Sequence, residues 1–232
     1  WKSIYEITKD FLEIRCMNKY FPKIACFGIA GPIEENSAKI TNLNWEISKL
    51  KLKNYFQLEK VELINDFSAL IYGLPYLKRN QYKTLQNNKN NNFEGFHTIV
   101  GAGTGLGISR GIINNTKITV FPSEGGHIEF APKTHEEWEL KQWIKKYLNI
   151  ERVSYERIIS GEGLSNIAKW KFSKEDIRDH PFNSYLKEAE KSNIIKRNLA
   201  EKICQLAKEG DPLMSEIETL WFNAYSSFIG DL

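Results

Sequence analysis

The sequence is poor in cysteine, in charge imbalance and in long apolar runs. Cys16, Cys26 and Cys204 are its only cysteines. They form no CxxC pair and no even set, which excludes a disulfide framework and a structural zinc site and favours a reducing compartment. Cys26 lies in an apolar run and reads as a small core residue. The four histidines (His97, His127, His135 and His180) make no ligand cluster, so no metal-ligating set is expected. No apolar run approaches the roughly 20 residues of a membrane span, and no signal-peptide pattern is present. The chain therefore reads as cytoplasmic, with no membrane partner. Lys and Arg total 32 against 29 Asp and Glu, a net charge of +3. That balance, without an aromatic-interleaved basic stripe, excludes a nucleic-acid partner.

What is present is an ordinary globular composition, 41% hydrophobic and 26% charged over 232 residues, enough for one large domain or two small ones. The sequence opens at Trp1 within a helix-like pattern and closes within another. A fragment of a longer protein is expected.

Periodicity predicts a helix over residues 2–20, with Ile4, Ile7, Phe11, Leu12 and Ile14 on its apolar face. Ile24 to Ile29 reads as a buried strand, and Glu46 to Phe56 as a short helix. Val61 to Ile64 is a strand that stops at Asn65-Asp66. Phe67 to Leu77 follows as a helix, irregular near Gly73 and Pro75. Asn65 and Asp66 thus lie at the carboxyl end of a strand, where open α/β sheets place ligands. The polar run 86–92 is a surface loop, and a domain boundary is expected around residues 76–96. A strand over His97 to Val100 enters a glycine-dense loop. A hairpin follows, with arms Ile108 to Ile113 and Lys117 to Phe121. Helices are predicted over Thr134 to Leu148, after Ser160, and from about residue 183 onward with a break at Gly210-Asp211-Pro212. Strands early and helices late give an α/β fold of two lobes, assigned here as 1–76 and 77–232.

Three places could carry chemistry. The loop Gly101-Ala102-Gly103-Thr104-Gly105-Leu106-Gly107 permits positive φ and close backbone approach. It is either a phosphate-cradling nest with Thr104 as a hydroxyl donor, or a tight structural turn. It is neither a Walker loop nor a GxGxxG opening a helix. Asp66 is either a general base or the N-cap of the next helix, and Asn65 can donate and accept hydrogen bonds beside it. Glu124 and His127 flank Gly125-Gly126, where helical spacing is not expected, so both side chains are expected to enter one cavity. Glu156 is a further acid, or simply a first-turn helix glutamate.

Six segments in order carry a resemblance: Gly28-Ile29-Ala30-Gly31-Pro32-Ile33, Thr41-Asn42-Leu43-Asn44-Trp45, Leu63-Ile64-Asn65-Asp66-Phe67, Gly101 to Gly107, Glu124 to Pro132, and Glu156-Arg157-Ile158-Ile159-Ser160-Gly161. On these the chain resembles bacterial-type glucokinases, sugar kinases with the two-lobed actin-like ATPase (ribonuclease H-like) fold, here incomplete. The resemblance implies ATP-dependent phosphorylation of glucose at its 6-hydroxyl, with Mg²⁺ bridging the phosphates. It implies Asp66 as catalytic base, and Asn65, Glu124, His127 and Glu156 as sugar holders. Gly101, Gly103, Thr104 and Gly105 would serve the phosphates, and a homodimer is a family-level expectation. The family's Asp-x-Gly-Gly-Thr loop and its adenosine-holding segment are expected beyond the given ends. Glu162 replaces a usual proline. The rival readings are a kinase for another hexose, a sugar-sensing regulator on the same scaffold, and an actin-like filament protein.

Overall fold

A computed structural model describes residues 1–16, 21–40, 43, 45–86, 93–115, 117–174, 177 and 179–232. Two compact units emerge. The first comprises Trp1–Ile99 with Ser109–Pro122, the second Val100–Ile108 with Ser123–Leu232.

In the first unit, strand β1 (Ile24–Ile29) pairs in parallel with β4 (Lys60–Asn65), in register from Ile24↔Lys60 to Ile29↔Asn65. Strand alternation turns Ala25, Phe27 and Ile29 toward a core built on Ile47, Leu52, Val61 and Leu63. The same alternation leaves Cys26 exposed. The expectation of a core cysteine is therefore wrong by one residue of pleat. Helix α1 (Ile4–Cys16) covers most of the predicted span, and residues 17–20 lie outside the described residues. Of its expected apolar face, Leu12 is buried and Ile4 packs beside it, whereas Phe11 and Ile14 are exposed.

The segment read as one helix from Glu46 divides in two. Strand β3 (Trp45–Ser48) pairs antiparallel with β2 (Ser37–Ile40), and helix α2 (Lys49–Tyr55) follows. Ser48 sets the boundary: its backbone is extended, and its hydroxyl caps α2 by accepting from the Lys51 N–H at 3.4 Å. Of the Thr41–Trp45 motif, residues 41, 42 and 44 lie outside the described residues, as do residues 87–92 of the expected polar loop. Helix α3 (Asp66–Gly73) begins directly at the end of β4. It tightens into a 3₁₀ turn at Leu74–Tyr76 around Pro75, at the irregularity that the sequence predicts.

Strands β5 (Gly95–Ala102), β6 (Leu106–Asn114) and β7 (Lys117–Ser123) form a three-stranded sheet in that order. It contains the predicted hairpin and contributes residues to both units.

The second unit is mainly helical. Helix α4 (His135–Leu148) starts with a capping box between Thr134 and Glu137 and ends on Asn149 at φ 52°. Helix α5 (Gly161–Phe172) is buried on most sides, which makes it the central helix of the unit. Around it lie α6 (Phe182–Lys191), α7 (Asn193–Lys208) and α8 (Pro212–Gly230). Ile144, Ile159, Ile167, Ile203 and Ile217 are fully buried within it. The predicted break falls where expected. Gly210 takes φ 96°, Asp211 caps α8 through the Met214 N–H at 3.0 Å, and Pro212 occupies the first turn. No helix among the described residues is long and apolar enough to cross a membrane.

Candidate functional site

In the first unit, Asn65 and Asp66 stand side by side where β4 becomes α3. Asn65 is the N-cap: its Oδ1 accepts from the Ser68 N–H at 3.1 Å, which leaves its amide donors for a ligand. Asp66 is therefore the first helical residue and not the cap. Its Oδ1 accepts from the Phe67 N–H at 2.9 Å, so one carboxylate oxygen is fixed and the other remains to accept. The half-buried carboxylate is aimed by its own backbone.

The second unit brings Glu124, His127, Glu156 and the glycine loop together. Gly125–His127 forms one 3₁₀ turn. The expectation of a non-helical spacing is corrected here, because i and i+3 eclipse in such a turn. His127 Nε2 accordingly lies 3.5 Å from Glu124 Oε2. Its Nδ1 lies 3.9 Å from Glu156 Oε1. These separations exceed close hydrogen bonds, so all three groups keep unspent bonding capacity. His127 and Glu124 are largely exposed, at 57% and 75%, while Glu156 is 29% exposed.

Glu156 sits in its own 3₁₀ turn (Tyr155–Arg157). Its Oε2 accepts from the Leu106 N–H at 3.0 Å, which ties it to the glycine loop. Two backbone bonds hold the 124–130 and 153–156 segments together: Phe130 N–H to Val153 O at 2.8 Å, and Tyr155 N–H to Ile128 O at 2.9 Å. The Ser160 hydroxyl donates to Glu156 O at 2.7 Å and accepts from the Gly163 N–H at 2.9 Å as the cap of α5. Beside this group, Lys141 hydrogen-bonds and attracts Glu129, holding its carboxyl below the ordinary value.

The glycine loop is the turn between β5 and β6. Gly103 N–H donates to Gly105 O at 2.8 Å, and Gly103 O accepts from Gly161 N–H at 2.9 Å. None of its glycines takes positive φ. Close approach explains Gly105 instead, because a Cβ there would collide with the Glu156 carboxylate. Gly103 and Thr104 form the exposed apex. Their neighbour is the N-terminus of α5, whose dipole favours an anion. Among the described residues, no three His, Cys, Asp or Glu side chains cluster as a metal site.

Sequence reasoning missed three supports. Arg152 Nη2 donates to His127 O at 2.6 Å, Asn166 Nδ2 donates to Arg157 O at 3.0 Å, and Trp221 Nε1 donates to Ser160 O at 3.2 Å. All three act on backbone carbonyls, and no local pattern marks such a role. Glu162, the departure from the expected proline, pairs with Arg157 at 2.9 Å in the first turn of α5.

The Glucokinase family model matches residues 1–232. A curated glucokinase of Nostoc sp. is 41% identical over 154 residues, covering 66% of this chain and 44% of that protein. A curated glucokinase of Synechocystis sp. is 36% identical over 214 residues, covering 90% of this chain and 60% of that protein. The chain thus spans about half the length of the curated relatives it matches. Among solved structures, a glucokinase from an Antarctic psychrotroph superposes with TM-score 0.60 at 27% identity, over 95% of this chain and 68% of that one. The Balamuthia mandrillaris glucokinase superposes with TM-score 0.71 at 22% identity, over 94% of this chain and 62% of that one. The mixed α/β fold is shared with both.

Proposed function

The chain belongs to the glucokinase family, and on that premise we propose that it forms the acceptor-binding part of an enzyme that transfers the γ-phosphoryl of ATP to the 6-hydroxyl of glucose. The product is glucose 6-phosphate, made at the first step of glycolysis. The observation that carries this reading is the Glu124–His127–Glu156 group fastened to the glycine turn. Two carboxylates and an imidazole with free capacity match vicinal hydroxyls, which both donate and accept. Such a site rejects analogues lacking a hydroxyl, because its own polar groups would be left unpaired. Within the first unit, Asn65 offers its amide donors to a sugar hydroxyl beside Asp66.

Asp66 acts as the general base. As the 6-oxygen attacks phosphorus, its proton passes to the free carboxylate oxygen of Asp66. The new O–P bond forms while the bond to the β-phosphate bridging oxygen breaks, and ADP leaves. Phosphoryl transfer asks the protein mainly for placement and charge complementarity. The Thr104 hydroxyl and backbone N–H, at the apex beside the α5 N-terminus, offer donors to the phosphates, while Gly103 shapes the turn through its N–H to Gly105 O. Gly105 completes that turn, and Gly101 leads into it on β5. Mg²⁺ would enter with the phosphates of ATP and would supply charge neutralisation there.

The test is Asp66→Asn in the full-length protein. A lost general base lowers kcat by about 10²–10⁴. Glucose affinity by calorimetry should change little, because the sugar-holding side chains remain. Wild-type turnover in the variant would refute the role of Asp66, and an inactive parent enzyme would refute the function.

A further inference from the structure

His127 and Glu156 meet because the segments that carry them pair as a short antiparallel ladder. Glu129 bridges Ser154. The Phe130 N–H donates to Val153 O at 2.8 Å, and the Tyr155 N–H to Ile128 O at 2.9 Å. Partners in an antiparallel pair run in opposite directions, so this register sets His127 opposite Glu156. The two ends of the ladder are held differently. At the far end, Phe130, Val153 and Tyr155 are buried in the core of the unit. There the Lys141 ammonium adds a bond to Phe130 O at 2.7 Å and an ion pair with Glu129 at 2.8 Å. At the His127 end the packing thins, and His127 and Ile128 are about half exposed. The His127 N–H donates to Glu124 O at 3.0 Å within its own turn. From outside that turn, Arg152 Nη2 donates to His127 O at 2.6 Å.

We infer that Arg152 is a positioning residue for His127. It belongs to the segment that leads to Glu156. Its guanidinium closes the open end of the ladder on the carbonyl of the residue that faces Glu156. The bond is short and charge-assisted, and a carbonyl fixed there sets the direction in which the imidazole leaves the backbone. Groups that hold a ligand must stay within about half an ångström of productive geometry. Arg152 is exposed, so its loss costs the fold little, and an effect on the site separates from an effect on stability. The anchoring stands on geometry alone. Its consequence for glucose rests on the functional reading above.

In the full-length enzyme, Arg152→Ala should raise the KM for glucose about three- to tenfold, with the KM for ATP within about twofold of the parent. The thermal midpoint should stay within about 2 °C. On a His127→Ala background, Arg152→Ala should add less than about twofold, because a residue that acts through the imidazole has nothing left to position. Lys141→Met unfastens the buried end instead, where packing remains, and should keep the KM for glucose within about twofold. In parallel, amide hydrogen exchange at His127 and Ile128 should quicken about three- to tenfold in Arg152→Ala, the loss expected from one hydrogen bond, with α5 unchanged. Effects of Arg152→Ala and His127→Ala that multiply would overturn the inference. So would a joint rise in both KM values, an equal rise in Lys141→Met, or parental exchange at His127 and Ile128. If the parent enzyme phosphorylates no glucose, or His127→Ala keeps the parental KM for glucose, the functional reading falls instead, and exchange at His127 and Ile128 still decides the anchoring.

Discussion

A methyl group placed on residue 105 would overlap Glu156 Oε2 and stand 3.2 Å from its Cδ. The obstruction is the end of a flexible side chain that is 29% exposed, so Gly105→Ala is accommodated by swinging the carboxylate outward. The swing breaks the 3.0 Å bond from the Leu106 N–H. A hydrogen bond to a charged group contributes about 1.5–3 kcal/mol. For folding, most of that is recovered, because the displaced carboxylate meets water and alanine restricts the unfolded chain by about 0.4–1 kcal/mol. Net stability should stay within about 1 kcal/mol of the parent. For the sugar nothing is recovered, since its carboxylate partner has left. Glucose affinity should fall by about ten- to a hundredfold, at roughly 1.4 kcal/mol per decade. The contrast is Gly163→Ala, whose Cβ would overlap the Ile158 backbone carbonyl and lie 2.9 Å from Ile158 Cα. Backbone cannot swing aside, and that variant should lose more than about 3 kcal/mol of stability. Calorimetric glucose titration and thermal unfolding of both variants, in the full-length protein, separate the two effects. Parental glucose affinity in Gly105→Ala would refute Glu156 as a sugar holder.

Two further outcomes concern charge. Burial opposes the ammonium of Lys171, but hydrogen bonds and attraction from Glu136 at 2.7 Å and Glu216 at 3.3 Å outweigh it and raise its pKa. Lys171 is 8% exposed while its partners are about half exposed, so Lys171→Met should cost less than about 1 kcal/mol by urea unfolding, because both carboxylates rehydrate. The double variant Glu136→Gln with Glu216→Gln strands the buried charge and should cost about 2 kcal/mol, below the roughly 3–5 of a fully stripped pair because glutamine still accepts a hydrogen bond. The carboxyl of Glu129 titrates below the ordinary 4.5 because Lys141 hydrogen-bonds and attracts it. A depressed folded pKa means the pair stabilises above about pH 4.5 and loses that contribution as pH falls through the folded value. The unfolding-midpoint gap between Glu129→Gln and the parent should therefore close on acidification, and a constant gap from pH 7 to 3 would contradict it.

The legible parts of the fold are those with local chemical marks. The strand-to-helix junction at Asn65-Asp66 follows an apolar run and ends in a capping side chain. The start of α8 carries Gly, Asp and Pro in the order that a helix break and restart require. The hairpin of β2 and β3 has no such mark. Each strand is four residues long, and residues 46–56 are rich in good helix formers, so cross-strand pairing and a single serine cap at Ser48 are what separate Trp45–Ser48 from the helix behind it. The exposed Phe11 and Ile14 and the outward Cys26 show the same limit. An apolar residue type announces burial, but which face is buried depends on what packs there. The Glu124–His127 turn escapes a sequence reading because two glycines argue against an α-helix, while a single 3₁₀ turn tolerates them.

The glycines of the site follow a different logic, and it explains why separated segments recur together. Gly105 yields space to the Glu156 carboxylate, and Gly126 to the carbonyl of Leu106. Gly161 passes close to the carbonyl of Gly103, at 3.5 Å from where a Cβ would stand. Each of these three glycines marks a point where one segment leans on another, and none of them requires positive φ. The glycine loop, the Glu124–His127 turn and the Glu156–Gly161 segment are therefore one interlocked object. A side chain added at Gly105 or Gly126 displaces a neighbour belonging to a different segment, whereas at Gly161 it would only come into ordinary contact. It follows that the polar groups of the site are held by mutual exclusion of bulk as much as by hydrogen bonds. A change far along the sequence, such as at Gly126, should then disturb the Leu106 amide that holds Glu156.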